Sequence, residues 1–254
     1  MNPDKFCNLD CVYCEVDRAA PPRDPQIDLE IMSAELRRML ALVDAGKIRE
    51  LPGYQSVPEE LSKLKEVALS GDGEPTLCPI FAEVVEAVVH IRAQGTFPFF
   101  KMVLITNSTG LPLPSVQSGL QSFTSQDEIW AKLDAGTQAY MDKVNRPKLS
   151  PINCPNLSLG QVMENILRLA RQRPVVIQSL FPLIDGEGPS AEEIQAYVQQ
   201  LRELQADGAQ ISLVQVYSAH RPAIHKSCGH LPLKTLSGIA QRVREATGLK
   251  AEVF

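Results

Sequence analysis

The stretch Phe6-Cys7-Asn8-Leu9-Asp10-Cys11-Val12-Tyr13-Cys14 brings three cysteines onto one short segment near the start of the sequence. Their spacing is C-x3-C-x2-C, so three thiolates on one tight loop can converge on a single metal centre. Structural zinc normally takes four protein ligands, and the first histidine of the chain is His90. The missing fourth ligand favours an iron–sulfur cluster with one open iron, although the spacing differs from the four-cysteine run of bacterial ferredoxins. A zinc loop and three unrelated cysteines remain the alternatives.

The composition of the whole chain is that of a globular protein. Its 254 residues are 44% hydrophobic and 22% charged, which excludes disorder, collagen and coiled coil as the main state. The net charge of -5 lacks the basic excess of nucleic-acid-binding modules. No apolar run reaches the roughly 18 residues of a membrane span, and residues 1–6 lack a signal-peptide core. The sequence therefore predicts a cytoplasmic protein whose thiols stay reduced.

Helical and extended patterns alternate after the cysteine loop. The predicted strands cover residues 65–70, 101–106, 128–133, 175–180, 210–217 and 250–254. The predicted helices cover residues 28–45, 79–94, 114–123, 159–173, 190–205 and 233–247. Ser190 and Glu193 predict a capping box, Gly248 a C-cap, and the Pro-rich stretch 20–25 a loop. This alternation indicates βαβ units and a parallel sheet, closed into a barrel or open.

The turn Ser70-Gly71-Asp72-Gly73-Glu74-Pro75-Thr76 follows the first of these strands. Glycines let a backbone approach a ligand without a Cβ in the way, and exposed backbone groups of such a turn can bind a charged head group. An ordinary βα turn is the alternative interpretation.

Together, the cysteine loop with Tyr13 before its last cysteine and the Gly73-Glu74-Pro75 turn resemble the radical S-adenosylmethionine superfamily. The similarity is greatest to the Fe–S oxidoreductase group related to wyosine synthases, with Asp72 in place of the first glycine of the family's Gly-Gly-Glu-Pro element. The resemblance implies a partial (β/α)6 TIM-like barrel, a [4Fe–4S] cluster and S-adenosylmethionine. It also implies that Cys7, Cys11 and Cys14 are the iron ligands.

The resemblance further implies a set of residues that bind S-adenosylmethionine. This set comprises Tyr13, Gly71, Asp72, Gly73, Glu74, Asn107, Lys132 and Asp134. Tyr13 would line the adenine side and the glycine-rich turn would bind the amino group. Asn107, followed by Ser108 where the family often has glycine, would lie near the carboxylate and ribose. Asp134 would bind ribose hydroxyls and Lys132 a carboxylate; a turn-capping asparagine and a surface ion pair are the alternatives.

The implied activity is reductive cleavage of S-adenosylmethionine to a 5′-deoxyadenosyl radical, which abstracts hydrogen from a substrate. Such an enzyme needs an external low-potential electron donor. An RNA base is one substrate hypothesis, from the likeness to wyosine synthases, and the acidic net charge counts against it. A small molecule or a protein partner is the second hypothesis. A metal-binding protein without turnover is the third.

Several further positions carry weaker signals. Arg146 and Arg221 each precede a proline and are candidates for holding an anionic substrate, although solvated arginines are commoner. Near the C-terminus, a loop contains His220, His225, Cys228 and His230. Solvated histidines are expected there rather than a second metal site, because the paired spacing of a zinc ribbon is missing. Cys78 and Cys154 are expected to be buried thiols.

The sequence is interpreted as one domain over residues 1–254, with the cluster loop at 7–14 and residues 210–254 closing the barrel. In the superfamily a strand normally leads into the cysteine loop. Residues 2–6 are too short and too polar to form a full core strand. The first barrel strand is therefore expected to be missing or vestigial.

Overall fold

Six short parallel strands form the central sheet of the computed structural model, which describes residues 1–18, 26–148 and 157–254. In sheet order these strands are β1 (Glu66–Leu69), β2 (Lys101–Thr106), β3 (Glu128–Lys132), β4 (Val175–Leu180), β6 (Ile211–Tyr217) and β8 (Ala251–Val253). A separate antiparallel pair consists of β5 (Pro182–Ile184) and β7 (Cys228–His230). All six predicted strands are confirmed. The stretch 20–25 and Cys154 lie outside the described residues.

Helices connect the strands of the sheet. They are α1 (Leu29–Asp44), α2 (Phe81–Ala93), α3 (Pro114–Leu120), α4 (Gln138–Val144), α5 (Leu159–Ala170), α6 (Ala191–Ala206) and α7 (Leu233–Thr247). The six predicted helices are confirmed, and α4 was missed. Gly248 caps α7 at a φ of 73°, in the left-handed region that glycine adopts without a Cβ penalty. None of the described helices has the length and apolar character that crossing a membrane requires.

The sheet is curved but open, so the expected partial barrel is confirmed. Residues 210–254 were expected to close it, and this expectation is corrected. In the described residues β8 pairs with β6 and β1 pairs with β2, and the two form the outer edges of the sheet. A closed barrel of this type has eight strands, two more than the sheet that the described residues form. No residue of the described segment 1–18 belongs to a named strand.

The two faces of the sheet differ in character. Ala131, Ile177 and Val214 lie side by side on β3, β4 and β6, and each is 0% exposed. One residue further along, the neighbours in register are Lys132, Gln178 and Gln215. Successive strand residues point to opposite faces. Close to the carboxyl ends of the strands, one face of the sheet therefore carries these apolar core residues and the other presents a polar row.

Candidate functional site

The cysteine loop is bound to segments that follow the strands of the sheet. The backbone N–H of Glu74, after β1, donates to the carbonyl of Phe6 at 2.8 Å. The backbone N–H of Ile224, after β6, donates to the carbonyl of Cys14 at 3.0 Å. Active sites of barrels built from parallel strands lie at this carboxyl end, so the topology brings the three cysteines to the position where a site is expected.

Each cysteine sulfur faces one side-chain N–H donor from a different part of the chain. The pairs are Asn107 Nδ2 with Cys7 Sγ at 3.8 Å, Asn145 Nδ2 with Cys11 Sγ at 3.6 Å, and Arg18 Nη2 with Cys14 Sγ at 3.5 Å. All three cysteines are free thiols. Burial, assisted by the Glu74 charge, raises the pKa of Cys7 to about 11. Burial and the Asp134 charge raise the pKa of Cys11 to about 12. Binding of a metal centre here would therefore release protons.

A buried donor beside the sulfurs fits an iron–sulfur cluster. Among the residues that the structure describes, no three His, Cys, Asp or Glu side chains are arranged as ligands of one metal ion. In the same described region, Arg18 Nε is buried without a hydrogen-bond partner. A group with sulfide acceptors beside Cys14 would give this N–H a partner, and hydrogen bonds to sulfur are typical of such clusters.

The Glu74 carboxylate is fully engaged by the protein itself. It is 3% exposed, and its Oε1 accepts from Thr76 N at 3.1 Å and from the hydroxyls of Thr76 and Thr106 at 2.6 Å each. Its Oε2 accepts from Asn107 N at 2.8 Å. Burial raises the Glu74 pKa, and these hydrogen bonds oppose the shift. The side chain therefore joins the glycine-rich turn to the end of β2.

The glycines of this turn are required by close approach of the N-terminal segment. A Cβ on Gly71 would lie 2.1 Å from Met1 O, and one on Gly73 would lie 2.2 Å from Phe6 O. Both distances are far below a van der Waals contact. Gly71 and Asp72 also line a groove against Ile31 of α1, away from the polar residues at the end of β3. The structure thus explains both glycines without a ligand.

The segment after β2 supports the cysteine loop. Asn107 Nδ2 donates to Asn8 Oδ1 at 3.0 Å, and Asn8 Nδ2 donates to Thr109 Oγ1 at 3.0 Å. Ser108 adopts a φ of 69°, in the left-handed region that favours glycine. Glycine is the residue that the superfamily named above often has at this position. Asn107 is therefore both the predicted turn residue and a neighbour of Cys7.

Tyr13, Asp134 and Asn145 form one buried group. The Asp134 Oδ2 accepts hydrogen bonds from the Tyr13 hydroxyl and, at 2.8 Å, from Asn145 Nδ2. Its Oδ1 accepts from Leu180 N at 2.8 Å. Burial and the Asp134 charge raise the pKa of Tyr13 well above its usual value, so the phenol remains protonated. Asp134, which was expected to meet ribose hydroxyls, is held in place by contacts from its own chain.

Lys132 lies beside this group and is enclosed by aromatic rings. Its Nζ lies 5.0 Å from the centre of the Tyr13 ring and 5.1 Å from that of Tyr217, and donates to the Tyr217 hydroxyl at 2.7 Å. It also lies 3.5 Å from Asp134 Oδ1. Burial disfavours the ammonium form, but Asp134 and Tyr217 outweigh this effect and raise the Lys132 pKa. The ion pair considered as the alternative interpretation therefore exists, but it is buried and not at the surface.

The structure brings three of the predicted cofactor-binding residues to one cavity. Asn107, Lys132 and Asp134 line a small cavity of about 20 Å³ together with Leu9 and Asn145, which is room for about one water molecule. These residues come from the ends of two strands, from the cysteine loop and from the end of α4. The cavity therefore adjoins the cysteine loop and has both charged and apolar walls.

Sequence reasoning missed three residues of this site. Asn8 and Asn145 lack any local signature, because each partner lies on a distant segment. Arg18 had one available signal, since it lies four residues after Cys14 and its Nη2 reaches that sulfur. A positive residue so close to a metal-binding loop is worth examining from sequence alone.

The remaining candidates lie at the rim. Arg146 is exposed, and its Nη1 lies 3.2 Å from His225 Nδ1. The exposed Arg221 forms an ion pair with Glu15 at 3.2 Å. His220 stacks on the ring of His230, with 4.2 Å between the ring centroids. The prediction that this whole region is a loop was wrong, because β7 covers Cys228–His230 and pairs with β5. Cys78 is 3% exposed, so this predicted buried thiol is confirmed.

Comparison with known proteins gives distant relatives of the sequence. No family model matches the chain. It is 26% identical over 228 residues to a UPF0026 protein of Helicobacter pylori, which covers 88% of this chain and 61% of that protein. It is 28% identical over 141 residues to a UPF0026 protein of Synechocystis, which covers 56% of this chain and 43% of that protein. The chain thus spans less than two thirds of the length of these curated relatives.

Solved structures show the fold more fully. Streptococcus suis SuiB bound to the precursor peptide SuiA matches with a TM-score of 0.65 and 13% identity, over 99% of this chain and 47% of SuiB. TYW1 with a lysine-pyruvate adduct matches with a TM-score of 0.56 and 16% identity, over 96% of this chain and 72% of TYW1. Spore photoproduct lyase with a dinucleoside spore photoproduct matches with a TM-score of 0.56 and 9% identity, over 98% of this chain and 73% of the lyase. All three are radical S-adenosylmethionine enzymes, TYW1 being a wyosine synthase, and this chain has their fold. The resemblance that the two sequence motifs indicated is confirmed at this level.

Proposed function

We propose that this chain is a radical S-adenosylmethionine enzyme in which Cys7, Cys11 and Cys14 hold a [4Fe–4S] cluster. The observation that carries the proposal is the C-x3-C-x2-C loop, which is bound to segments that follow the parallel strands and has one side-chain N–H donor at each sulfur. When bound, such a cluster supplies the electron that breaks a C–S bond of S-adenosylmethionine and so yields a 5′-deoxyadenosyl radical for hydrogen abstraction.

The chain's own residues would bind and shield the cofactor. The Asn107 amide, the Lys132 ammonium and the Asp134 carboxylate lie around the small cavity at the cysteine loop, and they match the polar groups of an amino acid and a ribose. This cavity would have to widen to admit S-adenosylmethionine. The backbone of the Gly73-Glu74 turn would bind the amino group. Lys132 and Asp134 are 16% and 1% exposed in their side chains, so the site limits the access of water. Exclusion of water protects reactive intermediates from side reactions.

An electron donor has to come from outside the chain. The cysteines other than the triplet are Cys78, Cys154 and Cys228, which are far apart in sequence and do not form a second cluster motif. We therefore include an external low-potential reductant in the proposal.

The proposal leaves two substrate classes, which differ in their physical behaviour. Spore photoproduct lyase was solved with a dinucleoside and SuiB with a precursor peptide, so the shared fold is compatible with both classes. An RNA substrate would bind through phosphate contacts that weaken steeply with salt. The net charge of -5 disfavours an extended phosphate footprint. If the protein shifts the electrophoretic mobility of tRNA at low salt and no longer does so at high salt, this result would support an RNA base as the substrate.

Anaerobic reconstitution tests the proposed function directly. The wild-type chain should take up about four irons, become brown, and produce 5′-deoxyadenosine only when a reductant is present. Cys11→Ala should lose both iron and product. Cys228→Ala is the matched control, because Cys228 is a free, half-buried thiol in β7 and should behave as wild type. Zinc without brown colour, or product from Cys11→Ala, would contradict the proposal.

A further inference from the structure

The Arg18 guanidinium connects three separate parts of the site. Its Nη1 donates to the carbonyl of Lys5 at 2.5 Å, before the cysteine loop, and to the carbonyl of Asp72 at 3.1 Å in the glycine-rich turn. Its Nη2 donates to Cys14 Sγ at 3.5 Å. Within the described ranges its buried Nε–H has no partner. One side chain thus joins the start of the loop, the last cysteine and the neighbouring turn.

Arg18 differs in charge from the donors at the other two sulfurs. Asn107 and Asn145 present neutral amides to Cys7 and Cys11. Arginine stays protonated at any pH that a protein tolerates. Hydrogen bonds from a charged donor are roughly twice as strong as those between neutral groups. The three sulfurs are therefore unequal, and the fixed positive charge lies at Cys14.

We propose that Arg18 is a positioning residue that raises the reduction potential of the cluster, an inference that rests on the proposed function. Reduction moves one electron from the external donor to the cluster and makes the cluster more negative by one charge. A fixed positive charge beside a ligand sulfur stabilises the reduced form more than the oxidised form. Charge and hydrogen bonds to the sulfurs are known determinants of cluster potentials. Arg18 thus makes the cluster easier to reduce.

Three substitutions separate the charge of Arg18 from its shape. Arg18→Lys keeps the positive charge and loses the fork that binds two carbonyls and a sulfur. Arg18→Gln keeps an N–H donor and loses the charge. Arg18→Met keeps much of the length and loses both. Arg37→Gln is the matched control, because Arg37 lies on α1 and donates a solvent-exposed hydrogen bond to Gln94.

The experiment is a redox titration of the reconstituted full chain, followed by the electron paramagnetic resonance signal of the reduced cluster. Iron content is measured in parallel for each variant. At a fixed solution potential, the ratio of reduced to oxidised cluster should fall at least tenfold in Arg18→Gln and Arg18→Met. For a one-electron couple this corresponds to a shift of about 59 mV to lower potential. Arg18→Lys and Arg37→Gln should stay within about threefold of wild type, well below that tenfold change.

Each other outcome has a defined meaning. Equal potentials in the wild type, Arg18→Gln and Arg18→Met at equal iron content overturn the inference and leave the proposed function intact. If the reduction potential shifts as far in Arg18→Lys as in Arg18→Gln, the effect comes from the hydrogen bonds of the guanidinium and not from its charge. This outcome also overturns the inference. If Arg18→Gln loses iron that Arg18→Lys retains, the charge of Arg18 acts on cluster affinity and not on the reduction potential, which overturns the inference. If the wild type takes up no cluster, the proposed function itself fails.

Discussion

A substitution at Glu74 distinguishes a structural role of its carboxylate from a role in binding the cofactor. In Glu74→Gln the side chain keeps its shape, but one carboxylate oxygen becomes an NH₂ group. Backbone N–H groups meet both oxygens, Thr76 N at 3.1 Å on Oε1 and Asn107 N at 2.8 Å on Oε2. In either orientation of the amide, its NH₂ nitrogen faces a backbone N–H group, which can donate a hydrogen bond but cannot accept one. The substitution therefore leaves a buried N–H without an acceptor.

The expected loss of stability follows from these contacts. A hydrogen bond to a charged group contributes about 1.5–3 kcal/mol, and an unsatisfied buried donor costs about 1–3 kcal/mol. Burial disfavours the charged carboxylate and so raises the Glu74 pKa. A neutral amide avoids this cost of burying a charge, which offsets part of the loss. We expect a net destabilisation of about 3 kcal/mol from these two effects. For a chain of this size that lowers the Tm by about 6–12 °C.

Thermal unfolding of the metal-free protein, followed by circular dichroism, measures this loss without any cofactor. The control is Glu86→Gln, which makes the same chemical change at an exposed position on α2 and should leave the Tm unchanged. If Glu74→Gln melts within about 2 °C of wild type, less than the shift from 1 kcal/mol, and yet loses affinity for S-adenosylmethionine, the carboxylate meets the cofactor and our reasoning is wrong.

Two further predictions concern stability. A Cβ on Gly136 would lie 2.0 Å from Tyr197 N of α6, so Gly136→Ala should lower the free energy of unfolding by about 1–3 kcal/mol or more and shift the urea midpoint to a lower concentration. Gly238→Ala, in α7 with open space around it, should be neutral or stabilising, and equal midpoints for the two variants would contradict this. Burial opposes ionisation of Asp127, but the two hydrogen bonds from Arg92, at 2.6 and 3.1 Å, outweigh it and lower the Asp127 pKa below 3.8. Its contribution to stability is therefore fully present above pH 3.8 and is lost as the pH falls through the lowered pKa. Asp127→Asn should be less stable at neutral pH and should lack this acid-dependent part. Parallel urea midpoints for wild type and variant from neutral to acid pH would overturn the assignment.

Local patterns were sufficient for most of the secondary structure. Helix ends followed from side chains close in sequence, such as Ser190, which accepts from Glu193 N at 3.1 Å. The second half of that capping box was wrong, because the Glu193 carboxylate binds Gly136 N and the Thr137 hydroxyl instead. The short helix α4 and the β5–β7 pair were missed. Elements of three to seven residues depend on contacts with distant segments and leave little periodicity in the sequence.

The sequence by itself determined the cysteine triplet, the glycine-rich turn and the order of strands and helices, because spacing and periodicity are local properties of a chain. Only the tertiary structure decided what these residues touch. Asn145 reaches Cys11 from 134 positions away, and Lys132 reaches Tyr217 across 85. Parallel strands bring their carboxyl ends to one edge, so residues far apart in sequence meet there. That convergence made Glu74 a structural anchor, held Asp134 within its own chain, and brought the carbonyl of Asp72 to Arg18.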